Sequence, residues 1–360
     1  MNLNCPITGS SNCELLYIQE NVPVFQNKVF QTREEAIKTP MASVNLAQSL
    51  ACGFIFNGTF DPSKMDYDLN YQNEQSNSVY FQEHLENIID LMESQQLLNG
   101  KIIEIGCGKG YFLNMLRSLQ KDVTGFDPTY EGDSEFIIRD YYSSKYESLE
   151  ADFIVLRHTL EHIYFPLKFL QQIASANKYK GKIYIEVPAF EWIQSHNAVE
   201  DIFYEHCNYF TRESLQLLFK NSRCEYVFNG QYLALTAELK DIKSEVEIRH
   251  LSATKVHFKD KITKYSQFLS TLNNVAIWGA GAKGSTFVNL IDPTCSKVRC
   301  VIDINTKKQN QYIGGSGHLI ISPDDLKKYA IKTIIVMNPN YLEEIKSQLS
   351  DPSYTLLTIE

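Results

Sequence analysis

Glu205 and His206 stand side by side in the segment DIFYEHCNYFT, and no pair in the chain is better suited to moving a proton. An imidazole titrates near neutral pH, so His206 can take a proton from carbon or from a hydroxyl, and a neighbouring carboxylate can orient or polarise the ring. Side chains adjacent in sequence often point apart, which leaves Glu205 open to serve the imidazole, the substrate or the structure. A second cluster, Arg157, His158, Glu161 and His162, follows the apolar run ADFIVL. Its histidines are four apart, as in a helical metal pair. The glutamate of HTLEH falls at the wrong place for HExxH, which argues against a zinc hydrolase. At the carboxyl end of a strand the cluster lies where open α/β sheets bind ligands. Arg157 and His158 are therefore expected to line a cofactor pocket, and His162 to face substrate or the protein interior. By the same logic Asp140, after SEFIIR, is expected beside an adenine and Glu186, in IEVP, beside substrate.

Two glycine loops must position these groups. In KIIEIGCGKG a short apolar strand carries Glu104 and is followed by Gly106, Gly108 and Gly110, which let the backbone turn sharply and come close to a ligand. A dinucleotide fingerprint would place glycine at Tyr111, so NAD is disfavoured here. The next strand, VTGFDP, ends at Asp127, 17 residues after Gly110, where a carboxylate can accept from both ribose hydroxyls. Strand, loop, amphipathic helix, strand and acid in this order read as a loop for S-adenosyl-methionine. The second loop, in NVAIWGAGAKG, has Gly279, Gly281 and Gly284 in the full GxGxxG spacing, with Asp303 ending the following strand. Lys283 could meet a diphosphate there, and a helix amino terminus favours anions. The strand KTIIVMN ends at Asn338, expected on the substrate side.

At 360 residues the chain is long enough for two or three cores, and its net charge of -9 with dispersed Lys and Arg argues against nucleic acid as a partner. No apolar run reaches the roughly 20 residues of a membrane helix and no signal peptide is visible, so a cytoplasmic protein acting on small molecules is expected. Eight scattered cysteines read as reduced thiols. The β/α alternation predicts an α/β fold: a small module over 1–65, a doubly wound unit over 66–240, a charged helical connector over 241–272 and a second Rossmann-like unit over 273–360.

With EIGCGKGYFL, GFDP, LRHTLEHIYFP, IEVP, FYEHCNYFT, WGAGAKGSTFVN, VIDINTKKQNQYIGG and IVMNPNY in hand, the chain resembles the three-part sugar C-methyltransferases over nearly its whole length. That resemblance implies a class I methyltransferase core, a small amino-terminal zinc module and a Rossmann-like carboxy-terminal domain that binds the substrate's nucleotide or shapes the cleft. It implies methyl transfer from adenosyl-methionine, often to a nucleotide-activated ketosugar; a monomer or homodimer is expected. It assigns the base to the Glu205–His206 pair. It also implies a tyrosine two positions before that pair, where Phe203 stands with Tyr204 beside it. A further tyrosine near residue 70 should reach the substrate, and Tyr71 is the nearest match, with Tyr67 and Tyr80 as competitors. The zinc module departs from the family: CPIT and SLAC put Thr8 and Ser49 where thiolates are expected, leaving Cys5 and Cys52, with Cys13 as a third sulfur. Hydroxyls are poor zinc ligands, so a metal-free module is expected. Two alternatives stay open: an NAD-dependent nucleotide-sugar enzyme working at the second glycine loop, and a non-catalytic binding protein.

Overall fold

The computed structural model describes residues 3–65, 71–72, 74, 76–349, 351 and 353–359; Tyr67 lies outside them. The central sheet has seven strands in the order Ile137–Ile138, Asp122–Phe126, Lys101–Ile105, Phe153–Arg157, Lys182–Pro188, Tyr232–Glu238 and Arg223–Val227. The first five are parallel, and Tyr232–Glu238 runs against both its neighbours. Side chains alternate between two cores, as the pleat requires. Ile102, Val155 and Tyr184 join Leu85 of the helix Val79–Ser94 and Leu113 of the helix Tyr111–Ser118 on one face. On the other, Ile103, Ile154 and Ile183 meet Leu170 of the helix Pro166–Ala176. Strands buried on both faces explain why KIIEI and FIVL read as continuous apolar runs. This is the expected α/β, Rossmann-like core.

Chain order reverses between Lys101–Ile105 and Phe153–Arg157. At that switch point the carboxyl ends of two neighbouring strands open a crevice, and residues 106–110 and 157–162 are brought together there.

A second parallel sheet runs Ile320–Ile321, Val298–Ile302, Val275–Trp278, Thr333–Val336, Thr355–Thr358. Its switch point falls between Val275–Trp278 and Thr333–Val336, so Gly279 and Asn338 are the neighbours there. Gly284 has to be glycine: a Cβ would sit 1.8 Å from the carbonyl oxygen of Gly279, so only a bare Cα lets the helix Ala282–Ile291 lie against the loop.

An antiparallel sheet of Cys13–Pro23, Met41–Ser49 and Ile55–Asn57 takes its fourth strand, Asn208–Tyr209, from the segment that follows His206. One buried cluster, with Val44, Ile55, Phe190, Tyr209, Ile277 and Phe287, runs through all three regions of the chain. The connector is helical only over Phe258–Thr271. The stretch before it was expected to be helical, but its backbone is spent on earlier residues: Arg249 donates to Ala51, Leu251 to Leu50, and Thr254 to the Gln48 side chain. Among the described residues no helix is long and apolar enough to cross a membrane.

Candidate active site

The first loop turns with φ of 73°, 54° and 78° at Gly106, Gly108 and Gly110. A Cβ at Gly106 would strike Thr159 Oγ1 at 2.3 Å and one at Gly110 would strike Ile137 at 2.6 Å, whereas one at Gly108 would meet nothing within 4 Å. Close packing therefore demands the outer glycines, and the loop opens on free space at Gly108, where a ligand's backbone contact fits. Asp127 ends the next strand and holds the loop itself, Oδ2 accepting from Gly108 N at 2.8 Å and Oδ1 from the amide and hydroxyl of Thr129. Glu104 is buried beneath the loop with Oε2 unpartnered, and burial pushes its carboxyl up to about 7 against the pull of Arg157.

The cleft proper is a cavity of about 280 Å³ lined from three parts of the chain. Asn27 comes from the amino-terminal region, residues 71, 158, 161, 162, 203, 205 and 206 from the central one, and residues 278–279 and 281–284, Lys308 and Asn338 from the carboxy-terminal one. Glu205 is 1 % exposed and doubly bonded: Tyr71 donates its hydroxyl to Oε2 at 2.6 Å, and Gln26 its amide to Oε1 at 2.5 Å. Burial raises the Glu205 carboxyl, opposed by His162 and Tyr71. His206 lies against Phe203, ring centroids 4.1 Å apart, and edge-on to His162 at 4.8 Å. Burial, with His162 and His158 adding to it, holds His206 well below the usual histidine range, so the ring is unprotonated at neutral pH. His162 Nδ1 lies 3.0 Å from the carbonyl oxygen of Glu205. As a donor there it keeps Nε2 as the free acceptor.

Several expected roles are corrected. Glu186 does not reach the cleft. It is fully buried, Oε1 meeting Arg157, His158 and His84 at 2.9, 3.0 and 3.1 Å and Oε2 accepting from Tyr184 at 2.7 Å. Burial would raise this carboxyl, but the Arg157 guanidinium and the hydrogen bonds from His158 and His84 hold it well below the usual range. Arg157 is thereby committed to Glu186 and lies over Phe112. His158 does line the cleft, at φ 48°, tied to Glu186 and 3.5 Å from Glu161; burial lowers its pKa, but those carboxylates outweigh it and lift it to about 9. Tyr204, the tyrosine beside the expected base pair, points the other way, accepting from the amide of Asp61 at 2.8 Å with its ring tilted against Phe60, and does not line the cleft. Tyr80 bonds Asn229 and packs on Tyr341, which lines the cavity, but does not line it itself. Asp140 is bound by Lys145 and Tyr146 at 2.7 Å each. Lys283 and Asn338 are in the cleft but already engaged, with Asp201 at 2.7 Å and Gln231 at 3.1 Å.

Sequence reasoning missed Lys308. It is 4 % exposed, donates to the carbonyl of Ala280 at 3.0 Å, and feels both Asp303 and Glu205; burial lowers its pKa against those two carboxylates. Two consecutive lysines after a strand end offer no periodic signal of which one is buried. In the amino-terminal region the sulfurs of Cys5 and Cys52 lie 3.6 Å apart, while the Cys13 thiol donates to the carbonyl of Ser10. Among the described residues the one group of three metal-capable side chains lies elsewhere, at Glu161, His162 and His206.

Residues 78–227 match a family model described as a methyltransferase domain. Over those residues the chain is similar to a methyltransferase domain. Residues 271–356 match a second model, described as C2185-like, N-terminal. No curated protein sequence matches the chain. Among solved structures, a SAM-dependent methyltransferase from Archaeoglobus fulgidus is 17% identical over 45% of this chain and 100% of its own, with a TM-score of 0.35. The Burkholderia thailandensis 1,6-didemethyltoxoflavin-N1-methyltransferase, solved with bound 1,6-didemethyltoxoflavin and S-adenosylhomocysteine, is 14% identical over 46% of this chain and 82% of its own, with a TM-score of 0.33. The matched residues include the first glycine loop and Asp127, and the cavity containing His206 is shared with the carboxy-terminal glycine loop.

Proposed function

We propose that the chain methylates a small, nucleotide-activated ketosugar, at carbon more readily than at oxygen, with His206 as the base. The observation that carries this reading is the single cavity in which His206, Glu205 and Tyr71 face the second glycine loop and Lys308. A sugar at the first group and a diphosphate at the second would span it. Adenosyl-methionine bound at residues 106–110 supplies an electrophilic methyl and leaves as a neutral thioether. The protein's share is to align and deprotonate the acceptor. His206, neutral in its buried position, takes the proton from the carbon beside the ketone, and that carbon takes the methyl in line. Tyr71 and Gln26 hold the Glu205 carboxylate in place at the cleft wall, and Lys308 provides the buried cation toward which an anionic oxygen turns.

The deciding experiment pairs calorimetry with turnover. Adenosyl-homocysteine should bind wild type and His206→Ala alike, while methyl transfer to nucleoside-diphosphate ketosugars is lost in the variant. A fully active His206→Ala would remove the base. The complete GxGxxG spacing, with its tight Gly279–Gly284 contact, favours a competing reading as an NAD-dependent nucleotide-sugar enzyme. NAD binding without adenosyl-homocysteine binding would establish it instead.

A further inference from the structure

We infer that Glu161, His162 and His206 form a binding site for a divalent first-row transition-metal ion, and that an ion there blocks methyl transfer. One potential ligand atom from each of the three lies within 4.8 Å of the others, and all three residues line the cleft. Glu161 is 1 % exposed, and neither of its oxygens has a hydrogen-bond partner; the nearest cation is His158 Nδ1 at 3.5 Å. A buried carboxylate so poorly satisfied is costly, and a cation within reach of it removes that cost. His162 is held as metal-binding histidines are held, one ring nitrogen against a backbone carbonyl, here Glu205, with the other directed away.

Two imidazoles and one carboxylate are the donor set of open zinc sites and of facial iron sites, and are too nitrogen-rich for calcium or magnesium. An ion bound by His206 occupies the lone pair that the proposed chemistry uses to take a proton. The blocking effect therefore rests on the reading of His206 as base, whereas the binding does not.

The test uses the full chain, stripped of metal with a chelator and titrated with zinc by calorimetry and with cobalt by visible absorption. The expected result is one ion per chain, with affinity falling at least ~10-fold in Glu161→Gln and in His206→Ala. Cobalt should show ligand-field bands without strong thiolate charge transfer, which would place the ion at Cys5 and Cys52 instead. No saturable binding in wild type, thiolate bands, or affinity unchanged in both variants would each overturn the site. Thermal melts of the two variants separate lost ligands from lost folding, and His206, less deeply enclosed than Glu161, is the safer of the two. Zinc should also inhibit methyl transfer reversibly on chelation; binding with the expected variant pattern but no inhibition would keep the metal site and overturn the blocking role together with His206 as base.

Discussion

The phenol of Tyr71 donates a 2.6 Å hydrogen bond to Oε2 of Glu205, 134 residues further along the chain. Tyr71→Phe keeps the ring and removes the donor. Because that bond lowers the Glu205 carboxyl, its loss should move the carboxyl upward. A hydrogen bond to a charged group contributes ~1.5–3 kcal/mol, so a matching loss of stability or of kcat/KM is expected. If Glu205 works ionised, the acid limb of the kcat/KM profile will shift to higher pH. An unmoved profile with unchanged stability would show that the bond matters to neither.

His206→Ala should lower kcat by roughly 10²–10⁴-fold, the range for losing a general base, with adenosyl-homocysteine affinity kept within about 2-fold of wild type, within experimental error of ~0.4 kcal/mol. Since burial holds His206 well below 6.5, wild-type turnover should persist below pH 6.5 before its acid limb begins. An acid limb at or above 6.5 that survives in the variant would assign the proton to another group.

The glycines of the first loop should separate folding from binding. Gly106→Ala drives a Cβ into Thr159 and is expected to destabilise by ~1–3 kcal/mol. Gly108→Ala meets no atom, so its cost is the ~1–2 kcal/mol of a left-handed residue, yet adenosyl-homocysteine affinity should drop by roughly 10-fold or more, ~1.4 kcal/mol. Equal affinity in Gly108→Ala would mean that the ligand does not approach the loop there.

Glu104 gives the chain a pH dependence of stability. Its folded carboxyl sits at about 7 against an ordinary value of 4.5. Between those values the folded chain holds the extra proton, so this residue's contribution falls as pH rises through that window. Glu104→Gln should therefore match wild type at pH 4 and exceed it at pH 8 by on the order of 3 kcal/mol, read as the difference in urea midpoints. A gap that is constant with pH would refute the buried, protonated carboxyl.

Much of the fold was legible along the chain because its signals are local. Apolar runs buried on both faces, glycines at fixed spacing and an acid at the next strand's end need only the residues between them, and they located both glycine loops. The candidate site was legible in part. His206, Glu205, His162 and Tyr71 were each named, and all four line one cavity. Glu186 and Tyr204 were misplaced for one reason: a strand end or a loop says that a side chain stands near the site, but not which way it turns. Glu186 turned to Arg157, His158 and His84, and Tyr204 to Asp61.

By itself the sequence determined the order of strands and helices, the two glycine loops with their acids, and the kinds of group available for proton transfer, because each depends on residues close together in the chain. Only the tertiary structure decided which of those groups meet. Residues 71, 162, 206 and 308 come together through long-range pairings: the amino-terminal sheet takes Asn208–Tyr209 as a strand, and the second switch point opens onto the same cleft as the first. Burial then set their charges, leaving His206 neutral and lifting His158, since desolvation and neighbouring charge act only once the chain has closed around them.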